Sequence, residues 1–124
     1  MTVLIDSWAW IEYFKGTKLG KAVELHFARD EKLVTSAINI AEVFGFLSRN
    51  QGPELADEGL RFMMEAAFII PIDADLAVSA ALAKNEKKFG LADAIVFATA
   101  QSHKATILTG DSDFRSVEGV QFLE

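Results

Sequence analysis

The hydrophobic residues of the chain fall into two kinds of segment, short β-branched runs and longer stretches with helical spacing. The short runs, which predict strands, lie at residues 3–5, 33–35, 68–72, 106–109 and 120–123. Pro71 falls near the end of the third run, and proline is tolerated mainly in edge strands. We therefore expect residues 68–72 to form an edge strand.

Helical periodicity fills the intervals between these strands. It is found at residues 8–14, 18–29, 37–49, 54–66, 77–83 and 91–102. Ser36 is suited to cap the third of these helices, and Pro53 to begin the fourth. Asp73 or Asp75 is suited to cap the fifth.

Strands that alternate with helices predict the α/β class, because each helix returns the chain over the sheet so that the next strand runs parallel. We expect a three-layer sandwich: a central, mainly parallel sheet of four to five short strands, flanked by helices. Residues 1–124 show no linker, repeat or low-complexity segment and are interpreted as one domain. In such sheets ligands bind beyond the carboxyl ends of the strands.

The composition narrows the class of protein further. Of the 124 residues, 51% are hydrophobic, which is enough for a substantial core. The absence of cysteine excludes disulfides and thiolate zinc sites and suits a cytoplasmic protein. No segment approaches the roughly 20 apolar residues of a membrane span, so we expect no membrane association. A net charge of −6 argues against broad electrostatic binding of polyanions, so contacts with nucleic acid should be local.

Four acidic residues stand almost alone in apolar segments. Asp6 follows the first strand, Glu42 lies within the third helix, Asp93 begins the last helix and Asp111 follows the fourth strand. An ionised carboxylate is costly to bury unless a nearby positive charge compensates it, and these segments contain no Lys or Arg. Because carboxylate oxygens suit hard cations, we expect a shared site for Mg²⁺ or Mn²⁺.

Each of these acids also has a purely structural interpretation. Asp6 could cap a helix, Asp93 could interact with a helix N-terminus, and Glu42 could be hydrogen-bonded or ion-paired in the core. Asp111 and Asp113 share a turn in which aspartate commonly bonds the backbone, so the choice of metal ligand between them stays open. Asp111 is favoured because it is nearer the strand end.

A divalent ion held by these carboxylates suits phosphodiester hydrolysis, since it polarises the phosphate, activates a bound water and stabilises the leaving oxygen. Without an ion, mutual repulsion should raise the pKa of at least one carboxyl. Two other functions stay open. One is a phosphatase or phosphoacceptor domain with Asp6 as nucleophile, and the other is a non-catalytic module that binds RNA or protein.

Taken in order, these residues resemble the PIN domain, and within it the small VapC-like toxin ribonucleases. The motifs are Asp6-Ser7, Ile40-Ala41-Glu42-Val43, Gly90-Leu91-Ala92-Asp93-Ala94-Ile95 and Thr109-Gly110-Asp111-Ser112-Asp113-Phe114, and they span nearly the whole chain. The resemblance implies a metal-dependent endoribonuclease that acts on RNA, forms a homodimer and is silenced by a cognate antitoxin. The acidic cluster of the family matches Asp6, Glu42, Asp93 and Asp111, and its supporting hydroxyls match Ser7 and Thr109.

Other polar residues complete the predicted site. Asn39 is one of few strongly polar side chains near Glu42 and is a candidate supporting residue. Arg49 and Arg115 are candidates for contacts with RNA phosphates, because a guanidinium can grip phosphate through two hydrogen bonds, and Lys15 is a third. The first helix carries more aromatic surface than one buried stripe requires, so part of it is expected either to pack in the core or to face a partner.

Overall fold

The computed structural model describes residues 1–124, which form one sheet with helices on both faces. The strands are β1 (Thr2–Ile5), β2 (Lys32–Ser36), β3 (Phe68–Ile70), β4 (Thr106–Thr109) and β5 (Val120–Phe122). The helices are α1 (Ser7–Lys15), α2 (Lys18–Glu24), α3 (Ala37–Gln51), α4 (Pro53–Ala66), α5 (Ala74–Lys87) and α6 (Leu91–His103). Short 3₁₀ segments span Leu25–Ala28 and Ser112–Phe114.

The sheet has the strand order β3-β2-β1-β4-β5, and every pairing in it is parallel. The chain therefore winds outward from β1 to β3 on one side and then crosses to the other side of β1 to add β4 and β5. Ile5 of β1 pairs with Leu108 of β4 at the point where the winding reverses. Such a switch point leaves a crevice beyond the carboxyl ends of the two strands.

Alternate residues of β1 point into two separate cores, as the pleat of a strand requires. Leu4 packs with residues of α5 and α6, whereas Val3 and Ile5 pack with residues of α1, α3 and α4. All three side chains are buried. The predicted three-layer α/β sandwich with a parallel sheet is thus confirmed.

Local sequence features end and begin several elements as predicted. Ser36 caps α3 by accepting a hydrogen bond from the Ile38 amide at 3.2 Å. Asp73 caps α5 by accepting one from the Leu76 amide at 2.9 Å. β3 is an edge strand and ends at Ile70, one residue before Pro71. No helix combines the length and apolar character needed to cross a bilayer.

The second helix differs from the prediction. Instead of continuing to residue 29, it ends at Glu24 and passes into the 3₁₀ segment Leu25–Ala28. The tighter winding turns His26 inward, where it is 2% exposed and its Nδ1 lies 2.9 Å from Oε2 of Glu31. This contact joins the 3₁₀ segment to the connection that leads into β2.

The aromatic residues of α1 pack mostly in the core. Trp10 is fully buried and its indole stacks against Phe14 and Phe27, with ring centres 6.2 and 5.7 Å apart. Tyr13 stacks on Phe62 of α4 at 5.2 Å. The aromatic cluster therefore joins α1 to α4 across one layer of the fold.

Candidate active site

The candidate site begins where β1 and β4 end side by side. Asp6 follows β1, is 4% exposed, and accepts a hydrogen bond of 2.7 Å at Oδ2 from the hydroxyl of Thr109, the last residue of β4. Its Oδ1 accepts a hydrogen bond of 3.3 Å from Nδ2 of Asn39. The carboxylate makes no capping hydrogen bond to α1, so the interpretation of Asp6 as a side-chain cap is wrong.

Asn39 links the cap of α3 to the acidic residues. Its Oδ1 accepts hydrogen bonds from the Ser36 amide at 2.9 Å and the Thr35 hydroxyl at 3.0 Å. That arrangement aims its Nδ2 at Oδ1 of Asp6 and at Oγ of Ser7, 2.8 Å away. Asn39 is fully buried, so its amide is held in one orientation by the backbone that begins the helix.

Thr35 is a supporting residue that the sequence analysis missed. Its hydroxyl accepts a hydrogen bond of 3.0 Å from Nε1 of Trp10 and lies 2.7 Å from the Ile5 carbonyl oxygen. It thereby braces both Asn39 and the end of β1. The available clue was its position, because Thr35 stands at the end of β2 as Thr109 stands at the end of β4.

Glu42 lies one turn after Asn39 on α3 and accepts a hydrogen bond of 2.6 Å from the Ser7 hydroxyl. It is exposed and forms no salt bridge, so the interpretation of a core glutamate is wrong, although the expected hydrogen bond is present. The buried face of α3 runs through Asn39, Val43 and Leu47, and Glu42 falls beside it. Apolar neighbours in the sequence did not reveal this exposure, because helix burial follows the packed face.

Asp93, Asp111 and Asp113 form a compact acidic group. Each can offer one carboxylate oxygen such that the three oxygens lie within 4.8 Å of one another. Asp93 stands in the first turn of α6, and the other two lie in the turn after β4. The Asp113 amide donates to Oδ1 of Asp111 at 2.9 Å, and the Asp111 amide donates to Oγ1 of Thr109 at 3.0 Å. The turn thus places both Asp111 and Asp113 near Asp93.

Electrostatic repulsion and burial perturb the two innermost carboxyls. Burial, reinforced by the charges of Asp111 and Glu42, raises the pKa of Asp6 from 3.8 to about 6, although the Thr109 hydrogen bond opposes the shift. Burial also raises the pKa of Asp93 to about 7, with further contributions from a hydrogen bond with Asp113 and from the charges of Asp111, Asp113 and Asp6. No lysine or arginine forms a salt bridge with any of these five acids.

The donor set fits a hard divalent cation. Two oxygens on opposite sides of a Mg²⁺ ion lie about 4.2 Å apart, because each Mg–O distance is about 2.1 Å. The three-aspartate group already has oxygens within 4.8 Å, so little movement would be needed to ligate such an ion. Burial is the main cause of the raised pKa values of Asp6 and Asp93, and a cation there would favour their ionised forms and offset the added repulsion between the acids.

The three basic candidates are placed differently. Arg115 lines a cleft together with Asp93 and Asp113. Lys15 ends α1, eight residues and about 12 Å of helix from Ser7, and pairs with Glu12 at 3.4 Å. Arg49 is seven residues and about 10 Å of helix beyond Glu42. Contacts of Lys15 and Arg49 with RNA stay a prediction, whereas Arg115 borders the acidic group.

The fold is similar to that of several solved proteins. A toxin–antitoxin complex from Klebsiella pneumoniae contains a chain that is 28% identical, with 96% of this chain and 95% of that chain covered and a TM-score of 0.78. VapC20 from Mycobacterium tuberculosis, described as a sarcin-ricin loop cleaving toxin, is 18% identical over 98% of this chain and 99% of that chain, with a TM-score of 0.79.

A third similar structure is VapBC2 from Rickettsia felis, solved with a DNA fragment from its promoter. It is 16% identical over 100% of both chains, with a TM-score of 0.79. No curated protein sequence matches the chain. The family model described as the PIN domain matches residues 3–120. Since that match covers nearly the whole chain and every acidic residue of the site, the chain belongs to the PIN domain family.

Proposed function

We propose that the chain is a metal-dependent endoribonuclease and the toxin of a type II toxin–antitoxin pair. The observation that carries the proposal is the convergence of carboxylates from separate segments, none of which forms a salt bridge with a lysine or arginine. The segments are the end of β1, the middle of α3, the start of α6 and the turn after β4. Carboxyl groups that burial and neighbouring acids make costly to ionise are typical of a functional site rather than of a structural one.

Asp93, Asp111 and Asp113 are the residues that would hold Mg²⁺ or Mn²⁺, with Asp6 beside them. A bound ion of this kind supplies a Lewis acid for the scissile phosphate and lowers the pKa of a coordinated water. The protein fixes Asp6 through Thr109 and Asn39, so this carboxylate keeps one orientation. All five acids are proposed to take part in catalysis.

Glu42 has a separate proposed role at the edge of the site. The Ser7 hydroxyl orients its carboxylate through Oε1, while its exposure leaves the group accessible to water and substrate. Ser7 in turn accepts a hydrogen bond from Asn39, so Glu42 is connected to Asp6 through two side chains. We propose that Glu42 positions water or substrate beside the three-aspartate group.

The proposed substrate and partners draw on the similar structures. One of them is described as a toxin that cleaves the sarcin-ricin loop and another as a toxin–antitoxin complex, which supports an RNA substrate and an antitoxin partner. We also propose a homodimer. Val78 and Leu82 on α5 are 61% and 65% exposed and offer apolar surface for association, which sedimentation would test.

The alternative in which Asp6 is a phosphate-accepting nucleophile is less well supported. Asp6 is 4% exposed, so a phosphate group has little access to its carboxylate oxygens. The non-catalytic alternative differs from the proposal in one measurable property, which is cleavage of RNA.

The test is cleavage of RNA by the purified chain with Mg²⁺, with Mn²⁺ and with EDTA. We expect EDTA, Asp6→Asn and Glu42→Gln each to lower the cleavage rate by at least roughly a hundredfold. Asp57→Asn is the matched control, because Asp57 is an exposed aspartate on α4 and lies outside the acidic site. Cleavage that continues unchanged in the site variants would refute the catalytic assignment.

A further inference from the structure

A cleft of about 540 Å³ extends from the three-aspartate group, and its walls carry both signs of charge. Asp93 and Asp113 belong to its lining, and so do the cationic side chains of Lys87, Lys88 and Arg115. The volume is within the range of about 300–1,000 Å³ typical of ligand sites. A basic wall thus shares one cavity with the proposed metal-binding acids.

The lysines of this cleft are not committed to other acids. Neither Lys87 nor Lys88 forms a salt bridge, and the Nζ of Lys87 lies 5.4 Å from the centre of the Phe97 ring. Arg115 is held at the edge by a hydrogen bond of 2.8 Å to Glu124. Glu118 is the one acid of the lining outside the three-aspartate group. With a divalent cation bound at that group, the cleft would attract anions.

The backbone of Lys88 is in an unusual conformation. Lys88 is the C-cap of α5 and has φ 60° and ψ 32°, in the left-handed region that favours glycine or asparagine. Ser116, which lines the same cleft, has φ 69°. This conformation is common where a helix ends, and it brings Lys88 into the lining of the cleft together with Ser116.

The start of α6 adds a further attraction for anions. Gly90 is the N-cap of this helix, belongs to the lining of the cleft and supplies no capping side chain. The first amides of a helix of this length point outward and favour negative charge. An added Cβ at Gly90 would meet no atom within 4 Å, so the space before the helix is open.

We propose that this cleft binds the phosphates of the RNA strand on one side of the cut, with Lys88 as the main positioning residue and Lys87 and Arg115 beside it. The inference rests on the proposed function and adds to it the path of the substrate. A strand in this cleft would place its next phosphodiester beside Asp93 and Asp113, which line the same cavity. Lys88 acts by holding the chain, so it affects substrate binding more than the chemical step.

The test compares two lysines that have the same backbone conformation. Lys88→Asn removes the charge from the cleft but is compatible with a left-handed C-cap, so the fold should be kept. Lys104→Asn is the matched control, because Lys104 is the C-cap of α6 with φ 51° and ψ 42°, is also exposed, and lies outside this cleft. Thermal melting of both variants would verify that they are folded.

The measurement is cleavage of a short, mixed-sequence single-stranded RNA over a range of salt concentrations. We expect Lys88→Asn to raise KM roughly three- to tenfold with little change in kcat, and to reduce the slope of log KM against log salt by about 0.7, the value for one lost phosphate contact. Lys104→Asn should behave as the wild type does. Equal KM and equal salt dependence in the two variants would overturn the inference.

A binding measurement separates this inference from the proposed function. Fluorescence anisotropy of the same labelled RNA would be recorded with Mg²⁺ on a Glu42→Gln background, which is expected to slow cleavage. If the wild type does not cleave RNA, the proposed nuclease function fails. If RNA binds but Lys88→Asn weakens it no more than Lys104→Asn does, the cleft assignment fails while the nuclease function stands.

Discussion

Ser7 and Glu42 are joined by a hydrogen bond of 2.6 Å that connects the first residue of α1 to the middle of α3. The two helices are therefore connected at the candidate site through one hydroxyl. A short contact to a carboxylate is among the stronger hydrogen bonds in proteins, although the exposure of Glu42 weakens it.

Ser7→Ala is expected to lower kcat about tenfold, because Glu42 loses its orienting donor and Asn39 loses an acceptor. The free energy of unfolding should change by about 1 kcal/mol or less. Steady-state cleavage kinetics and urea denaturation would measure the two effects. Ser48→Ala is the control, because the Ser48 hydroxyl bonds only to the Gly45 carbonyl of the same helix. A Ser7 variant with full activity would show that Glu42 needs no orientation.

The charge pattern of the site predicts an unusual pH dependence of stability in the metal-free protein. The pKa of Asp6 rises from 3.8 to about 6 and that of Asp93 to about 7, so the folded chain binds more protons than the unfolded chain between about pH 4 and 7. The free energy of unfolding should therefore fall as pH rises through this window. For Asp6 alone the pKa change corresponds to roughly 3 kcal/mol.

Melting temperatures recorded in EDTA from pH 4.5 to about 7.5 would test this dependence. Asp6→Asn should flatten the profile and melt above the wild type at the upper end, whereas Asp57→Asn should follow the wild type. A melting temperature that rises steadily across the same window would contradict the raised pKa values.

Divalent cations should reverse this loss of stability. A ligand that binds only the folded state at 100 times its dissociation constant adds about 2.7 kcal/mol to the free energy of unfolding. We expect Mg²⁺ or Mn²⁺ to raise the melting temperature most at neutral pH, where Asp6 and Asp93 otherwise ionise without a bound cation to stabilise their charge. Asp113→Asn should reduce this increment, since Asp113 belongs to the three-aspartate group. An unaltered increment in Asp113→Asn would exclude that residue as a ligand.

Asn39→Asp is expected to be more damaging than Asn39→Ala in the metal-free protein. The new carboxylate could still accept from the Ser36 amide, but its second oxygen would face the Asp6 carboxylate instead of donating to it. We expect a loss of roughly 2–4 kcal/mol at pH 7.5, compared with about 1–3 kcal/mol for the alanine variant. Urea denaturation would compare the free energies of unfolding of the variants. Equal losses would mean that repulsion between Asp6 and the added carboxylate does not destabilise the fold.

Gly110 is held against Trp8 and the last strand. A Cβ added there would lie 2.5 Å from Cη2 of Trp8 and 2.7 Å from the carbonyl oxygen of Leu123. Because backbone is one of the two obstacles, Gly110→Ala should cost about 1–3 kcal/mol and should also lower activity by displacing Asp111. Gly90→Ala, with open space around it, should cost about 1 kcal/mol or less. Thermal melting distinguishes the two variants, and equal stabilities would show that the Trp8 side chain can move away from the added methyl group at no cost.

Much of the fold follows from local patterns in the chain. The short apolar runs mark all five strands, and Ser36 and Asp73 mark helix starts, because strand pleating and helix capping depend on residues close in sequence. The early end of α2 was not predictable in this way. It accompanies the burial of His26 against Glu31, which the helical spacing of residues 18–29 did not indicate.

The site was predictable where it depends on strand ends and unpredictable where it depends on packing. Asp6 and Asp111 both follow parallel strands, so their proximity follows from the topology. The exposure of Glu42 depends on which face of α3 is covered, which the local sequence does not specify. The presence of Lys88 in the same cleft as Asp113 depends on how α5 turns into α6, so the cleft could not be found from spacing.

The hydrogen bond between Thr109 and Asp6 spans 103 positions of the chain. Neither residue has this partner until β4 has paired with β1. A partly synthesised chain that stops before residue 106 contains Asp6, Glu42 and Asp93 but cannot assemble the centre. The bracing of Asp6 by β4 therefore depends on long-range assembly of the sheet and not on residues close in the sequence.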